Sequence, residues 1–199
     1  VIIKKYNLPI ELAFLPHVES SFNYLAYSKV GAAGIWQFMR PTARLFGLKM
    51  NYVVDDRRDP LGATDAAARL LLNNFQKLGA WPLAITAYNH GSASIERAVK
   101  GVGTRDLSKI IERYDGRRFG FASKNFYATF IAAAEISQNP EIYFKSVEKL
   151  EPTKVSSIFL DRSLTIAQIA KVTGIGKKKL EELNLSLRPI VFRSNLAIP

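Results

Sequence analysis

The sequence predicts a mainly α-helical domain continued by a small strand–helix–helix–strand unit. Three observations predict it. From Leu8 to about Pro140 apolar residues recur at spacings of three and four, interrupted by Gly and Pro where turns are expected. Pro and Gly punctuate those stretches in helix order, with Asp59-Pro60 and Trp81-Pro82 at starts and Gly79 and Gly91 at ends. Past Pro140 the character changes: Glu148 to Lys154 is polar with a proline, and Val155 to Leu160 is a short β-branched and apolar run.

Taken in order, Pro9 suits a first helical turn, and Leu12, Leu15, Glu19 and Phe22 follow at helical spacing on one stripe with an expected kink at Pro16. A carboxylate is thereby placed on an apolar face. Asp59 is expected to cap a helix that Pro60 opens, whose Ala63, Ala67, Leu70, Leu71, Phe75 and Leu78 face a core and which ends at Gly79. Trp81-Pro82 opens the next helix, through Ala84, Ala87 and Tyr88 to Gly91, and Ser123 is expected to cap one carrying Phe126, Phe130, Ala133 and Ala134. A domain boundary is expected near residue 151, separating 1–150 from 151–199. In the second part Val155–Leu160 reads as a strand, Ile166, Ile169, Ala170 and Val172 as a helix, Leu180 and Leu183 as another, and Asn195-Leu-Ala-Ile-Pro as a closing strand.

Composition narrows the function. With 199 residues and 48% hydrophobic content the chain can bury a core, and no window approaches the roughly 18 to 20 apolar residues of a membrane span. The formal charge of +11 favours an anionic partner. Basic residues are scattered except at Lys177-Lys178-Lys179, without the interleaved aromatics of a nucleic-acid surface, so nucleic acid is not the expected partner. Zero cysteines and two separated histidines, His17 and His90, indicate no metal site and no cofactor. Val1 to Tyr6 is neither a signal peptide nor a lipidation motif, and the chain is expected to begin inside a longer protein whose targeting region precedes it.

Three segments belong together: His17-Val-Glu-Ser-Ser-Phe22, Ser28-Lys-Val-Gly-Ala-Ala-Gly-Ile-Trp-Gln-Phe-Met39 and Ala87-Tyr-Asn-His-Gly91. Their order and spacing resemble the Glu-Ser, Gly-Leu-Met/Trp-Gln and Ala-Tyr-Asn-x-Gly motifs of the family 1 soluble lytic transglycosylases. Leu8-Pro-Ile-Glu-Leu12, Asp56-Arg57 with Asp59-Pro60, and Ser123-Lys-Asn-Phe-Tyr127 bring the resemblance nearest to the membrane-bound transglycosylase D subgroup, over about residues 8 to 145. The resemblance implies an α+β lysozyme-like fold of the goose-type lysozyme superfamily, mainly α, for 1–150.

It also implies a chemistry. Cleaving a glycosidic bond requires a carboxylic acid still protonated near neutral pH, and an apolar setting raises a carboxyl pKa by disfavouring its charged form. Glu19 has that setting. Most glycosidases add a second carboxylate. The only acidic cluster, Asp55, Asp56 and Asp59, sits beside Arg57, Arg58 and Pro60, where ion pairing and capping account for it. The resemblance implies one Glu in both roles. It protonates the bond between N-acetylmuramic acid and N-acetylglucosamine, then deprotonates the muramic C6 hydroxyl, giving a 1,6-anhydro product with help from the 2-acetamido oxygen.

By the same correspondence Ser28 matches a serine near the catalytic Glu and the acetamido group, although it also reads as a local cap. Gln37 matches a glutamine lining the cleft, and Met39 an apolar contact beneath a sugar or a core methionine. Tyr88 matches a tyrosine holding the acetamido group, with Asn89 after it. In Ser123-Lys-Asn-Phe-Tyr127, Ala122 stands where much of the family has an acid, and the family's aromatic aligns with Phe126 or Tyr127, of which Tyr127 is taken as the site residue.

The second part resembles a diverged LysM module, a βααβ unit, in Leu164-Thr-Ile-Ala-Gln-Ile-Ala170, Lys179-Leu-Glu-Glu-Leu-Asn184 and Leu196-Ala-Ile-Pro199, with Asp161-Arg162-Ser163 in place of the common Gly-Asp-Thr. It reads equally as a structural extension. The expected partners are peptidoglycan glycan strands in the bacterial envelope, in the periplasm, with outer-membrane association through the preceding region. A goose-type hydrolase and a noncatalytic wall-binding protein are the alternatives.

Overall fold

The computed structural model describes residues 2–148, 151 and 156–198. The expected boundary near 151 and the start of the Val155 run therefore fall at the edge of, or outside, the described residues. Helices dominate. In chain order they are α1 (Ile2–Lys5), a 3-10 turn (Ile10–Phe14), α2 (Leu15–Ser20), α3 (Arg40–Leu45), a second 3-10 turn (Asp56–Arg58), α4 (Pro60–Leu78), α5 (Trp81–His90), α6 (Ser92–Val102), α7 (Leu107–Arg113), α8 (Phe121–Gln138) and α9 (Pro140–Tyr143). Then come β1 (Leu164–Thr165), α10 (Ile166–Thr173), α11 (Lys177–Leu183), α12 (Pro189–Arg193) and β2 (Ala197–Ile198).

The chain forms two units, one of residues 1–22 and 64–139, the other of 23–63 and 140–199. In the first, α8 packs against α2 and α5, and α5 against α6. Leu78, Leu83, Ala87, Ile95, Ala98, Leu107, Ile110 and Phe119 form its buried cluster between α4 and α8. The helix stops follow the sequence. Asp59 accepts from the backbone N–H of Leu61 and Gly62 at 3.1 and 3.0 Å, capping α4 just ahead of Pro60. Gly79 ends α4 in the left-handed region, and Phe75 stacks on Trp81 at 4.3 Å across the turn.

The expected kink at Pro16 is a change of helix type: a 3-10 turn through Phe14 gives way to α2 at Leu15, one residue before the proline. Leu12 and Leu15 remain buried on one side. Ser123 is no cap. α8 already begins at Phe121 with Gly120 ahead of it, and Ser123 is a buried residue of its first turn. Its hydroxyl is committed to partners on α5, described below.

In the second unit β1 and β2 pair antiparallel, Leu164 with Ile198 and Thr165 with Ala197. The strand is at Leu164–Thr165 and not at 156–160, where Ile158 and Phe159 are exposed and unpaired in any ladder. Thr165 also caps α10, exchanging side-chain bonds with Gln168 in a capping box. A third helix, α12, opened by Pro189, stands between α11 and β2, so the order is βαααβ. Ile166, Ile169, Leu180 and Val191 are buried together, with Val53 and Leu187 packed beside them.

Candidate functional site

Glu19 occupies the last turn of α2. The helix ends abruptly: Ser21 and Phe22 both adopt left-handed backbone, φ 51° and 56°, which non-glycine residues rarely do. The stop is held by the Ser21 and Phe22 N–H groups donating to the His17 and Pro16 carbonyls, and by Phe22 set edge-on to His17 at 4.6 Å. Glu19 is thus half-buried at the end of a short helix packed on α8. Desolvation raises its carboxyl pKa to about 7. A group that would be fully ionised in water is close to half protonated at neutral pH.

Tyr88, on α5, is half-buried. Burial of its hydroxyl, and then the negative charge of Glu19, push its pKa well above the ordinary tyrosine value. The first unit therefore brings Glu19 and Tyr88 within electrostatic reach of one another. Asn89, exposed on the same helix, accepts a 3.3 Å hydrogen bond at its side-chain oxygen from the Ser123 hydroxyl. That hydroxyl also meets His90 Nδ1 at 2.9 Å, and His90 Nε2 meets the Ser94 hydroxyl at 2.9 Å. Burial, followed by the Arg97 charge, lowers the His90 pKa, so a neutral imidazole bridges the two serines. Sequence reasoning places Asn89 in the site and Ser123 at a helix cap but does not anticipate that His90 links them and Ser94 into one hydrogen-bonded chain. Its only local signal is the spacing of four between His90 and Ser94. Tyr127 is half-buried against the apolar cluster, its ring 6.4 Å from that of Phe130, while Phe126 is the more deeply buried of the two aligned aromatics.

Ser28, Gln37 and Met39 share one loop of the second unit. Bridges Tyr27–Ala33 and Ala33–Phe38 fold it. The Ser28 hydroxyl accepts from the Ala32 N–H at 2.9 Å, and the Ser28 N–H donates to the Ala32 carbonyl at 2.9 Å, so the local-cap reading of Ser28 holds for its hydroxyl's acceptor side. Gln37 stands at φ 46°, and its amide donates to the Gly34 carbonyl at 2.8 Å. Met39 is 42% exposed, which rules out the core reading of this methionine. Tyr27 is exposed, and hydrogen bonds from Arg57 and then Arg40 lower its pKa.

Arg57 fixes this loop. Fully buried, it donates to the Gly31 and Phe38 carbonyls at 2.7 and 3.0 Å, and by two bonds, 2.8 and 2.7 Å, to Asp55. Gly34 allows that approach: any side chain there would collide with the Arg57 carbonyl, and its φ of 76° favours glycine. Burial raises the Asp55 carboxyl, but the Arg57 hydrogen bonds and charge, with Arg188, bring it below the usual range. Arg188 reaches Asp55 at 3.4 Å, the Asp55 N–H donates to the Ser186 carbonyl, and Val54 bridges to Leu187. The segment ahead of α12 is thus tied to the base of the motif loop. Of the other carboxylates in the cluster, Asp56 accepts from the Lys49 N–H and Asp59 caps α4.

Among the described residues there is no group of three or more His, Cys, Asp and Glu arranged to hold a metal, and no helix long and apolar enough to cross a membrane. The Transglycosylase SLT domain family matches residues 2–111. The membrane-bound lytic murein transglycosylase D of Escherichia coli K12 is 31% identical over 192 residues, covering 94% of this chain and 41% of the relative. A putative tributyltin chloride resistance protein of an Alteromonas species is 37% identical over 101 residues, covering 50% of this chain and 49% of the relative. The chain spans about two fifths of the length of the E. coli relative and half that of the other. With its motif residues on α2, α5 and the loop that Arg57 anchors, the chain belongs to the transglycosylase SLT domain family.

Proposed function

We propose that this protein is a peptidoglycan lytic transglycosylase in which Glu19 alone serves as acid and then base. The observation that carries the proposal is the Glu19 carboxyl, held by burial at about pKa 7 beside Tyr88. Family membership and the E. coli relative support it.

Protonated Glu19 donates to the oxygen joining N-acetylmuramic acid to N-acetylglucosamine, and the bond from that oxygen to muramic C1 breaks as the 2-acetamido oxygen closes on C1. The Glu19 carboxylate then takes the proton of the C6 hydroxyl, and O6 bonds to C1 as the acetamido oxygen leaves. The acid is regenerated, and no water is consumed. A pKa near 7 suits both steps, because neither protonation state is costly to reach at neutral pH. Asp55, Asp56 and Asp59 each have a structural partner, which supports leaving them out of the chemistry.

The motif correspondences assign Ser28 and Tyr88 to the acetamido group, Gln37 and Met39 to sugar contacts, and Asn89 and Tyr127 to substrate binding. Exposure of Met39 supports its contact role. Residues 1–150 are the catalytic domain in this reading. The unit from 151, LysM-like in sequence, acts as a structural extension, supported by the Arg188–Asp55 pair. The working location is the cell envelope, on the periplasmic side. Mass spectrometry of digested sacculi tests the reaction: anhydro-muropeptides lie about 18 mass units below hydrolysis products through retention of no water. Reducing muramic ends alone would replace the proposal with a lysozyme-type hydrolase.

A further inference from the structure

In the first unit a cavity of about 370 Å³ opens between α6 and the loop that follows α7, and three guanidinium groups, Arg97, Arg117 and Arg118, line it. None of the three forms an ion pair with a carboxylate among the described residues, although eight other Lys and Arg residues among them do so. Three like charges around one concavity repel each other and focus a positive potential into it. Their forked N–H groups match the two oxygens of a carboxylate.

The walls are built. Phe119 is buried, edge-on to His90 at 5.1 Å and to Tyr114 at 5.7 Å, and its N–H donates to the Gly116 carbonyl at 2.7 Å, closing the loop. Gly116 lies against the Tyr114 ring, where a side chain of its own would collide with it. Ser94 adds a hydroxyl already bonded to His90. The cavity is of a size that takes a ligand of many atoms and exceeds what one small inorganic anion fills. Tyr114 and Phe119 offer apolar surface to such a ligand.

We propose that this cavity binds the carboxylates of an acidic peptide, and that the peptide is the stem carried by the glycan strand. The identity of the peptide rests on the peptidoglycan reading above; the carboxylate chemistry does not. The Ser94–His90–Ser123–Asn89 chain runs from the cavity wall to the motif helix α5, so an occupant would bear on the helix that carries Tyr88.

Two measurements on the whole chain test it. In calorimetric titration the free stem tetrapeptide alanyl-glutamyl-diaminopimelyl-alanine binds, its fully amidated counterpart and inorganic phosphate bind at least about tenfold more weakly, and Arg97→Ala or Arg117→Ala weakens the peptide about tenfold, as loss of one charge-assisted pair requires. Equal binding of the amidated peptide or of phosphate, or unchanged binding by both variants, overturns the site. In digestion, Arg117→Ala lowers the rate on intact sacculi while leaving the rate on sacculi stripped of stem peptides unchanged; equal loss on both overturns the stem assignment. The binding arm needs no turnover, so a protein that bound the tetrapeptide but cleaved neither substrate would refute the transglycosylase reading and leave the carboxylate site standing.

Discussion

Replacing Glu19 by Gln separates what the carboxyl does for catalysis from what it costs the fold. Its pKa rises from 4.5 to about 7 on folding, through desolvation. Between those values the unfolded chain has released the proton while the folded chain still holds it. Stability therefore falls as pH rises from 4.5 towards 7 and levels off above. At about 1.4 kcal/mol per tenfold change in proton affinity, the shift corresponds to about 3 kcal/mol, an upper figure because a half-buried carboxylate keeps part of its hydration. Gln is neutral at every pH and close in shape to the protonated acid. Glu19→Gln is expected to match the parent at pH 4 and to exceed it by about 2 to 3 kcal/mol at pH 8, or roughly 4 to 12 °C in melting temperature for a chain of this size. Thermal and urea denaturation of both proteins at the two pH values checks this. A difference that does not change between pH 4 and pH 8 would refute the burial argument, whatever the variant does to activity.

Asp55→Ala leaves the Arg57 guanidinium buried without its carboxylate and is expected to cost about 3 to 5 kcal/mol by urea denaturation; a loss under about 1 kcal/mol would contradict the account of the anchor. Gly34→Ala adds a collision with the Arg57 carbonyl to the left-handed backbone penalty, whereas Gly47→Ala, at φ 81° with open space around it, incurs the backbone penalty of about 1 to 2 kcal/mol alone. Comparative denaturation is expected to rank Gly34→Ala as clearly the more damaging of the two.

The helices that carry the site were legible because their ends are local chemistry. Asp59-Pro60 and Gly79 bound α4, and Trp81-Pro82 and Gly91 bound α5, through residues whose preferences act within one turn. Glu19 stood out because an apolar stripe with one carboxylate is a local pattern too. What escaped is nonlocal. Ser123 looks like a cap in sequence, but its hydroxyl is engaged by His90 and Asn89, more than thirty residues away. Arg57 looks like one half of a surface pair, yet it is buried because the 31–38 loop and Arg188 close over Asp55. A strand of two residues, Leu164–Thr165, carries too little periodicity to outweigh the longer apolar run of 156–160, and only its pairing with Ala197–Ile198 defines it.

The central claim is that one carboxyl, Glu19, performs both proton transfers, and the pH profile of sacculus digestion by the parent and by Glu19→Gln tests it most directly. The account predicts that kcat/KM for the parent declines about tenfold per pH unit above about 7, as the acid loses its proton, and that the variant releases no anhydro-muropeptide at any pH. Sustained digestion by Glu19→Gln, or a parent profile with no alkaline decline near 7, would contradict it.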